Sequence, residues 1–245
     1  MYVIVIPTYN EKENIPKLIA KLDKFYGKLA ANVSILVADD SSPDGTRQVV
    51  EDYVRRHKPK LHIQVITKSE KAGLREAYLN AFRYLLKNEP RLKGIIQMDA
   101  DHSHDPKYVA RHLKNLRDGF DLSVGSRYAR GGKVKNVGVG RRILSRSGNS
   151  INRLVLSQQL KDYTGSFNGL SKRALLFITK DDVVTSKDCH FYTELKYRLV
   201  KAGDFTVTEF PIVFVDRIVG FSKMSRTTLL EPLTQLLSIR TRKIS

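Results

Sequence analysis

The sequence predicts a single α/β domain in which helices flank a mixed, mostly parallel central sheet. Strand-like and helix-like segments alternate through the first hundred residues, as in a parallel sheet with right-handed crossovers. Apolar residues make up 41% of the 245 residues, enough for one substantial core, and no linker-like or low-complexity stretch divides the chain. Acidic residues follow three of the predicted strands, where open α/β sheets bind their ligands.

The first part of the chain predicts three strands and two helices. The apolar run 2–6 is a strand, which the proline-containing turn at 7–10 ends. Apolar residues at helical spacing then predict a helix over 11–26. The next elements are strands over 33–38 and 62–67, with a helix over 46–57 between them.

The later elements follow the same logic. A helix begins at Gly73, and the apolar run 94–98 predicts the fourth strand. Residues 207–215 predict another strand, and apolar stripes predict helices over 141–155 and 229–240.

Four acidic residues lie at the ends of predicted strands. Glu11 follows the first strand, Asp40 the second, and Asp99 and Asp101 the fourth. In a parallel sheet these ends share one edge, and two residues that are two positions apart can face the same site. Carboxylate oxygens at that edge suit Mg²⁺ or Mn²⁺ bound together with the phosphates of a nucleotide.

Ordinary turn chemistry is the alternative explanation for these acids. Two acids in a loop are common, so Asp99 can cap a turn beside a solvated loop. The segment 39–45 can be an Asx-rich turn that starts a helix, which is the interpretation we favour for Ser42 and Asp44. Asp39 is left open between the two explanations.

The formal net charge of +18 predicts an anionic partner, whether nucleic acid, an anionic membrane or a phosphorylated substrate. Residues 127–161 hold nine basic residues and no acidic one, and residues 223–245 hold five against one. Nucleic acid is disfavoured, because the first segment contains one aromatic residue, Tyr128, and the strand-end acids would repel a phosphate backbone. The single cysteine excludes an internal disulfide, and the sequence shows neither a signal peptide nor a membrane-spanning apolar run.

Five motifs occur in the order found in a known family. They lie at residues 7–11, 39–46, 98–101, 125–128 and 215–223, the last containing Arg-x-x-Gly-x-Ser-Lys. Together they resemble the GT-A-fold glycosyltransferases of the polyprenol-phosphate group, in glycosyltransferase family 2, and within it the dolichyl-phosphate mannose synthases. The resemblance covers roughly residues 2–228. It implies a nucleotide-binding half over about 1–105 and an acceptor-binding half over about 106–228, with a basic amphipathic helix over 229–245.

The resemblance implies a reaction as well as a fold. Mannose would pass from GDP-mannose to the phosphate of dolichyl (polyprenyl) phosphate with inversion, giving the β-linked product and GDP, with Mg²⁺ or Mn²⁺ as cofactor. A phosphate acceptor is already charged at neutral pH, so it needs no general base. The nearest alternative is a UDP-glucose-dependent glucosyltransferase, and a nucleic-acid-binding module is the remote one.

The resemblance also assigns roles to residues. Those expected to contact guanosine are Pro7, Tyr9, Glu11, Ala38 and Asp40. Those expected to contact ribose, diphosphate or metal are Asp99, Ala100 and Asp101. The metal is expected chiefly on Asp101, with Asp99 and Ser103 as further ligands. Those expected to bind phosphates of donor and acceptor are Arg127, Arg217 and Lys223. We expect Asp101, Arg127 and Arg217 to be catalytic.

Three features depart from the family pattern. Ser103 stands where relatives often have Gln or Ser, and serine is a weaker metal ligand than glutamine. His102 and His104 flank it, and we expect both to be bystanders, because single histidines are usually surface or packing residues. Gly165 and Ser166 stand in the reverse of the usual Ser-Gly order.

The two basic segments contain the predicted helices over 141–155 and 229–240, each with an apolar stripe and neighbouring arginines. Basic amphipathic helices lie in membrane interfaces, so we expect peripheral attachment at the cytoplasmic face of a membrane, with a small membrane-anchoring subunit as a candidate partner. The alternative is that both helices pack on the sheet with solvated arginines.

Overall fold

The computed structural model describes residues 1–68, 70–188, 190–215 and 230–242. Seven strands form the main sheet: β1 (Tyr2–Thr8), β2 (Val33–Asp39), β3 (His62–Thr67), β4 (Gly94–Gln97), β5 (Leu122–Ser126), β7 (Asn168–Ser171) and β8 (Val207–Pro211). Two further strands, β6 (Lys133–Lys135) and β9 (Val213–Val215), pair with each other in parallel. The helices are α1 (Ile15–Tyr26), α2 (Thr46–His57), α3 (Leu74–Asn88), α4 (Val109–Arg117), α5 (Val139–Val155), α6 (Lys172–Ile178), α7 (His190–Ala202) and α8 (Leu230–Thr241).

The main sheet has the order β3-β2-β1-β4-β7-β5-β8. The first four strands in this order are parallel to one another, and β5 is parallel to β8. Strand β7 runs antiparallel to both of its neighbours, β4 and β5. The prediction of a mixed, mostly parallel sheet flanked by helices is therefore confirmed.

Alternation along each strand divides the core between the two faces of the sheet. Val3 and Val5 of β1 pack on the side of α3, while Ile4 and Ile6 pack on the side of α1. Strands of such sheets are buried on both faces and therefore read as continuous apolar runs. This explains why β1 and β2 were visible in the sequence.

Several predicted boundaries move by one to four residues. Strand β1 continues through Pro7 to Thr8, where a turn was predicted, because it pairs with β2 as far as Asp39, and α5 begins at Val139 rather than at residue 141. The helix predicted from residue 11 begins at Ile15, where Pro16 suits the first helical turn. The fourth strand ends one residue earlier than expected, at Gln97. The strand predicted over 207–215 is wrong as a single strand, because β8 lies in the main sheet and β9 in the small one, with the buried Ile212 between them. Both parts are apolar, so the sequence pattern does not show the break.

The C-terminal helix α8 is held by buried charge. Its Leu236 and Ile239 are buried, and beyond it Arg242 binds the buried Glu194 of α7. Arg198, also buried on α7, pairs with Glu194 at 2.7 Å and donates to the carbonyl oxygen of Arg242 at 2.9 Å. The structure thus indicates that Arg242 binds the protein interior rather than lipid, which favours packing of α8 on the protein. Across the ranges that the structure describes, none of the helices has both the length and the apolar character to cross a membrane.

We expect Gly94→Ala to lower the free energy of unfolding by about 3 kcal/mol, because β7 lies so close to Gly94 of β4 that no side chain fits at this position. A Cβ at Gly94 would stand 2.5 Å from the carbonyl oxygen of Leu170, a backbone atom that cannot rotate away. The matched control is Gly148→Ala in α5, where a Cβ meets nothing within 4 Å. That control should gain about 0.5–1 kcal/mol in urea unfolding, since alanine favours helices. Equal effects of the two substitutions would contradict the close β4–β7 approach.

Candidate active site

The carboxyl ends of β1, β2 and β4 lie side by side. Thr8 at the end of β1 is in register with Asp39 at the end of β2, and Val5 is in register with Gln97 at the end of β4. The predicted site acids, Glu11, Asp40, Asp99 and Asp101, follow these strands within one to four residues. The structure thus brings the three acid-bearing strand ends to one edge, as parallel pairing requires.

The turn after β2 accounts for two of the acids around it. Asp39 is buried and accepts hydrogen bonds from the hydroxyl of Thr8 at 2.9 Å and from the amide and hydroxyl of Ser42. Asp44 accepts from the amide of Thr46 at the start of α2. The turn explanation for Ser42 and Asp44 is confirmed, and it extends to Asp39.

Asp40 connects β2 to a neighbouring loop. Its two carboxylate oxygens accept the backbone N–H groups of Ala72 and Gly73, each at 2.8 Å. Gly73 has a φ of +90°, which suits glycine, and stands just before α3. The same loop carries Lys71, whose ammonium lies 3.8 Å above the ring of Tyr9. Sequence reasoning missed Lys71, although its place two residues before a glycine at a helix start was a usable signal.

The other residues expected to contact the nucleoside are Pro7 in β1, Ala38 in β2, and Glu11 in the turn after β1. Ala38 is buried and in register with Pro7, which is half-buried. The half-buried Glu11 accepts from the side-chain amide of Asn14 at 2.8 Å, and its backbone N–H donates to the hydroxyl of Thr46. Strand pairing and turn contacts thus fix the backbone that carries these residues.

The segment after β4 contains Asp99 and Asp101, the two acids that are two positions apart. Asp101 is buried and accepts the backbone N–H of Ser103 at 3.1 Å. Ala100 is buried between the acids, and His102 has a φ of +62°, which bends the chain after Asp101. The carboxylate of Asp99 accepts the hydroxyl proton of Ser166 at 2.6 Å. Asp99 and Asp101 therefore belong to an ordered loop rather than to a solvated one.

The donor set of this loop fits a hard divalent cation. The hydroxyl oxygen of Ser103 is buried and has no hydrogen-bond partner among the residues that the structure describes, and it follows two carboxylates. Within the part of the chain that the structure describes, no three or more acidic, histidine or cysteine side chains form a complete metal site. Mg²⁺ and Mn²⁺ suit such an incomplete set, because these ions are commonly held by one or two carboxylates plus substrate phosphates. Asp99, Asp101 and Ser103 would hold the ion.

The structure shows His104 as a buried packing residue whose ring contacts the candidate site. Its buried ring accepts the backbone N–H of Asp99 on Nδ1 at 3.3 Å, and Nε2 faces the hydroxyl of Ser166 at 3.4 Å. The ring stacks on Phe167 with centroids 4.7 Å apart. Burial lowers the pKa of His104, so the ring is neutral at physiological pH. The reversed Gly-Ser pair thus places Ser166 between His104 and Asp99.

Arg127 is anchored by Asp162, which is 0% exposed. Its Nε and Nη2 donate to the two carboxylate oxygens at 2.8 and 2.7 Å, and Nη2 also reaches the hydroxyl of Thr164 at 2.6 Å. Burial alone would raise the pKa of Asp162, but the Arg127 guanidinium holds it at about 2. Sequence reasoning missed this partner, although Asp162 is the first acid after the long basic segment.

Two of the predicted phosphate-binding residues, Arg217 and Lys223, lie outside the described residues. Val215, at the end of β9, donates its backbone N–H to the carbonyl oxygen of Ser103 at 3.3 Å. The described chain therefore reaches the candidate metal loop just before residue 216.

We expect Asp162→Asn to lower the free energy of unfolding by roughly 3–5 kcal/mol, because it leaves the guanidinium of Arg127 buried without its counter-ion. Asp181→Asn is the matched control, since Asp181 pairs with Arg83 at the surface and its side chain is 97% exposed. Urea unfolding should show almost no change for that control. A loss near zero for Asp162→Asn would contradict a buried, charge-compensated Arg127.

Comparison with known proteins identifies the family of this chain. The model for "Glycosyl transferase family 2" matches residues 3–177. The polyprenol monophosphomannose synthase of Mycolicibacterium smegmatis is 35% identical over 229 residues, which is 94% of this chain and 83% of that protein. The undecaprenyl-phosphate mannosyltransferase of Micrococcus luteus is 35% identical over 221 residues, or 90% of this chain and 86% of that protein.

Solved structures show the same fold at low sequence identity. The mannosyltransferase PcManGT from Pyrobaculum calidifontis, in complex with GDP-Man and Mn²⁺, aligns with a TM-score of 0.56 and 19% identity, over 89% of this chain but only 57% of its own. Glucosyl-3-phosphoglycerate synthase from Mycobacterium tuberculosis, in complex with Mn²⁺, UDP and glucosyl-3-phosphoglycerate, aligns with a TM-score of 0.64 and 15% identity, over 100% and 81% of the two chains. The fold is therefore the GT-A fold, and the chain belongs to glycosyl transferase family 2.

Proposed function

We propose that this chain transfers mannose from GDP-mannose to the phosphate of a polyprenyl phosphate such as dolichyl phosphate, with inversion, releasing GDP. The observation that carries the proposal is the ordered loop with Asp99, Asp101 and the unpartnered Ser103 hydroxyl at the sheet edge. Two relatives at 35% identity, named for mannose and polyprenol phosphate, support the sugar and the acceptor class. The GDP-Man in the Pyrobaculum structure guides the choice of donor.

The two ends of the site have different tasks. Tyr9 and Lys71 present a ring and a cation on the side where Asp40 fixes the loop, which suits a nucleoside with its first phosphate. On the other side, Arg127 keeps a fixed positive charge close to Asp99. A divalent cation bound at Asp99, Asp101 and Ser103 would supply charge neutralisation for the departing diphosphate. Stabilising the leaving group is the main demand of the reaction, because the acceptor phosphate is already anionic.

Donor and metal are tested together. The purified protein is incubated with polyprenyl phosphate in detergent and with either GDP-mannose or UDP-glucose, in Mg²⁺, Mn²⁺ or EDTA. We expect GDP release and a mannosylated lipid product with GDP-mannose only, and its loss in EDTA. Product formed only from UDP-glucose would contradict GDP-mannose as the donor. Full activity in EDTA would contradict the requirement for a divalent cation.

We expect Asp101→Asn to reduce turnover at least about 100-fold, equivalent to ~2.7 kcal/mol of transition-state stabilisation. The matched control is Asp105→Asn in the same loop, because Asp105 accepts the backbone N–H of Lys107 and pairs with the ammonium of the same residue at the surface. The control should stay within about twofold of the wild type, since asparagine also caps. Turnover of Asp101→Asn above about a tenth of the wild-type value would remove this residue from the metal site.

Helix α5 supports membrane attachment, because its buried face is polar and its exposed face is apolar. A helix that packs on a protein core has the opposite arrangement. The face on the protein carries the buried Asn149 and Asn152. The opposite face leaves apolar side chains exposed, with Ile143 at 60% and Leu154 at 78%. The exposed apolar residues of this face are Val139, Ile143, Leu144, Ile151 and Leu154.

We propose that this face lies in the headgroup region of an anionic, cytoplasm-facing membrane leaflet, where the lipid acceptor is found. The basic residues of α5, among them the exposed Arg146, suit such a surface because cations gain about 1 kcal/mol each near anionic lipid. A small membrane-anchoring subunit is the competing occupant of the same face.

We expect the double substitution Ile143→Glu with Leu154→Glu to weaken binding to anionic vesicles at least about tenfold in sedimentation, because it puts charge into the apolar face. The matched control, Phe25→Glu with Leu176→Glu, alters two side chains on α1 and α6 that are 53% and 52% exposed. It should bind like the wild type. If the wild type does not bind vesicles, the lipid proposal fails, and a protein subunit becomes the favoured partner of the exposed face of α5.

A further inference from the structure

Lys196 is a buried cation that the proposed reaction does not use. It lies on α7 with no solvent exposure, and its ammonium donates to three backbone carbonyl oxygens. The distances are 3.0 Å to Asp162, 3.1 Å to Tyr163 and 2.6 Å to Gly165. An ammonium has three N–H donors, so this set of acceptors satisfies it completely. Burying a charge is costly unless it is paired in this way.

The three carbonyls belong to one loop, residues 162–166, which carries two side chains of the candidate site. Asp162 at its beginning holds Arg127, and Ser166 at its end donates to Asp99. From the opposite side, the side-chain oxygen of Asn149 accepts the backbone N–H groups of Tyr163 and Thr164, at 2.9 and 3.3 Å. The loop is therefore fixed by a cation on its carbonyls and by an amide oxygen on its N–H groups.

We propose that Lys196 is a positioning residue of the active site: its ammonium orders the loop 162–166 so that Asp162 and Ser166 hold Arg127 and Asp99 in the geometry for glycosyl transfer. The role in turnover rests on the proposed function, whereas the ordering of the loop does not. A methionine of similar length would fill the same space, so packing alone does not require the charge.

The environment of Lys196 makes the proposal sensitive to pH. Burial lowers the pKa of Lys196 to about 8, although the carboxylate of Asp162 opposes the shift. The other charged groups that act on it are Arg127, which lowers its pKa further, and Glu209, which raises it. A neutral amine keeps two N–H donors for three carbonyls, so the loop loses a contact as the pH rises through about 8.

Stability should respond in the opposite direction. The folded state holds the Lys196 proton less tightly than the unfolded chain, where the pKa is 10.5. Between these two values the unfolded chain binds more protons, so this residue adds stability to the fold as the pH rises. A loss of activity over that range is therefore not explained by unfolding at this residue.

Lys196→Met tests the ordering of the loop directly. Hydrogen–deuterium exchange should show the amides of residues 162–166 exchanging at least about tenfold faster than in the wild type. The matched control is Thr193→Val on the same helix, because Thr193 makes a single neutral contact of 3.4 Å with the carbonyl of Tyr163. That control should exchange within about threefold of the wild type. Unchanged exchange in Lys196→Met overturns the proposal, whatever reaction the protein catalyses.

The kinetic test follows the pH profile of kcat. We expect wild-type kcat to fall about tenfold per pH unit above a midpoint near 8, and Lys196→Met to show kcat at least about tenfold lower without this limb. The same limb in Lys196→Met, or wild-type kcat in this variant, overturns the role in turnover. If Lys196→Met does not fold, Lys196→Gln takes its place in both experiments. A wild-type kcat that stays constant up to pH 9 overturns the proposal without any variant. Absence of mannosyl transfer by the wild type would reject the proposed function, leaving the exchange experiment to decide on Lys196.

Discussion

The ion pair between Arg127 and the buried Asp162 is the interaction on which the Arg127 side of the candidate site depends. A buried carboxylate and a buried guanidinium each need the other, since either one alone would carry a large desolvation cost. Asp162 also accepts the backbone N–H groups of Arg127 and Gly165, so the pair fixes two segments that are far apart in the sequence. Lys196 and Asn149 then hold the same loop from α7 and α5.

The antiparallel strand β7 explains how the loop 162–166 meets the acidic residues that follow β4. It lies between β4 and β5, so the acid-bearing end of β4 stands next to the segment that enters β7. That segment contains Ser166 and Phe167, which contact Asp99 and His104. A purely parallel sheet would send this connection to the opposite edge. The change in strand direction is therefore what joins the loop 162–166 to the carboxylates.

The sequence predicted the first half of the fold and the acidic edge well, for a physical reason. Parallel strands buried on both faces, such as β1 and β2, are continuous apolar runs, and local spacing places Asp99 and Asp101 together. The contacts of Asp162, Ser166, His104 and Lys196 depend on pairings between distant segments, which one-dimensional patterns do not contain. The division of 207–215 into two strands depends on the same kind of information.

The anchoring of α8 has a consequence for how the outer helices are joined. Arg242, just beyond α8, binds Glu194 of α7, and Arg240 of α8 donates to the carbonyl oxygen of Val155 at the end of α5 at 2.7 Å. Helix α8 therefore bridges α5, which carries the exposed apolar face, and α7, which carries Lys196. Loss of this bridge would leave the buried pair of Glu194 and Arg198 without one of its cations, so α8 is part of the framework behind the candidate site rather than an appendage.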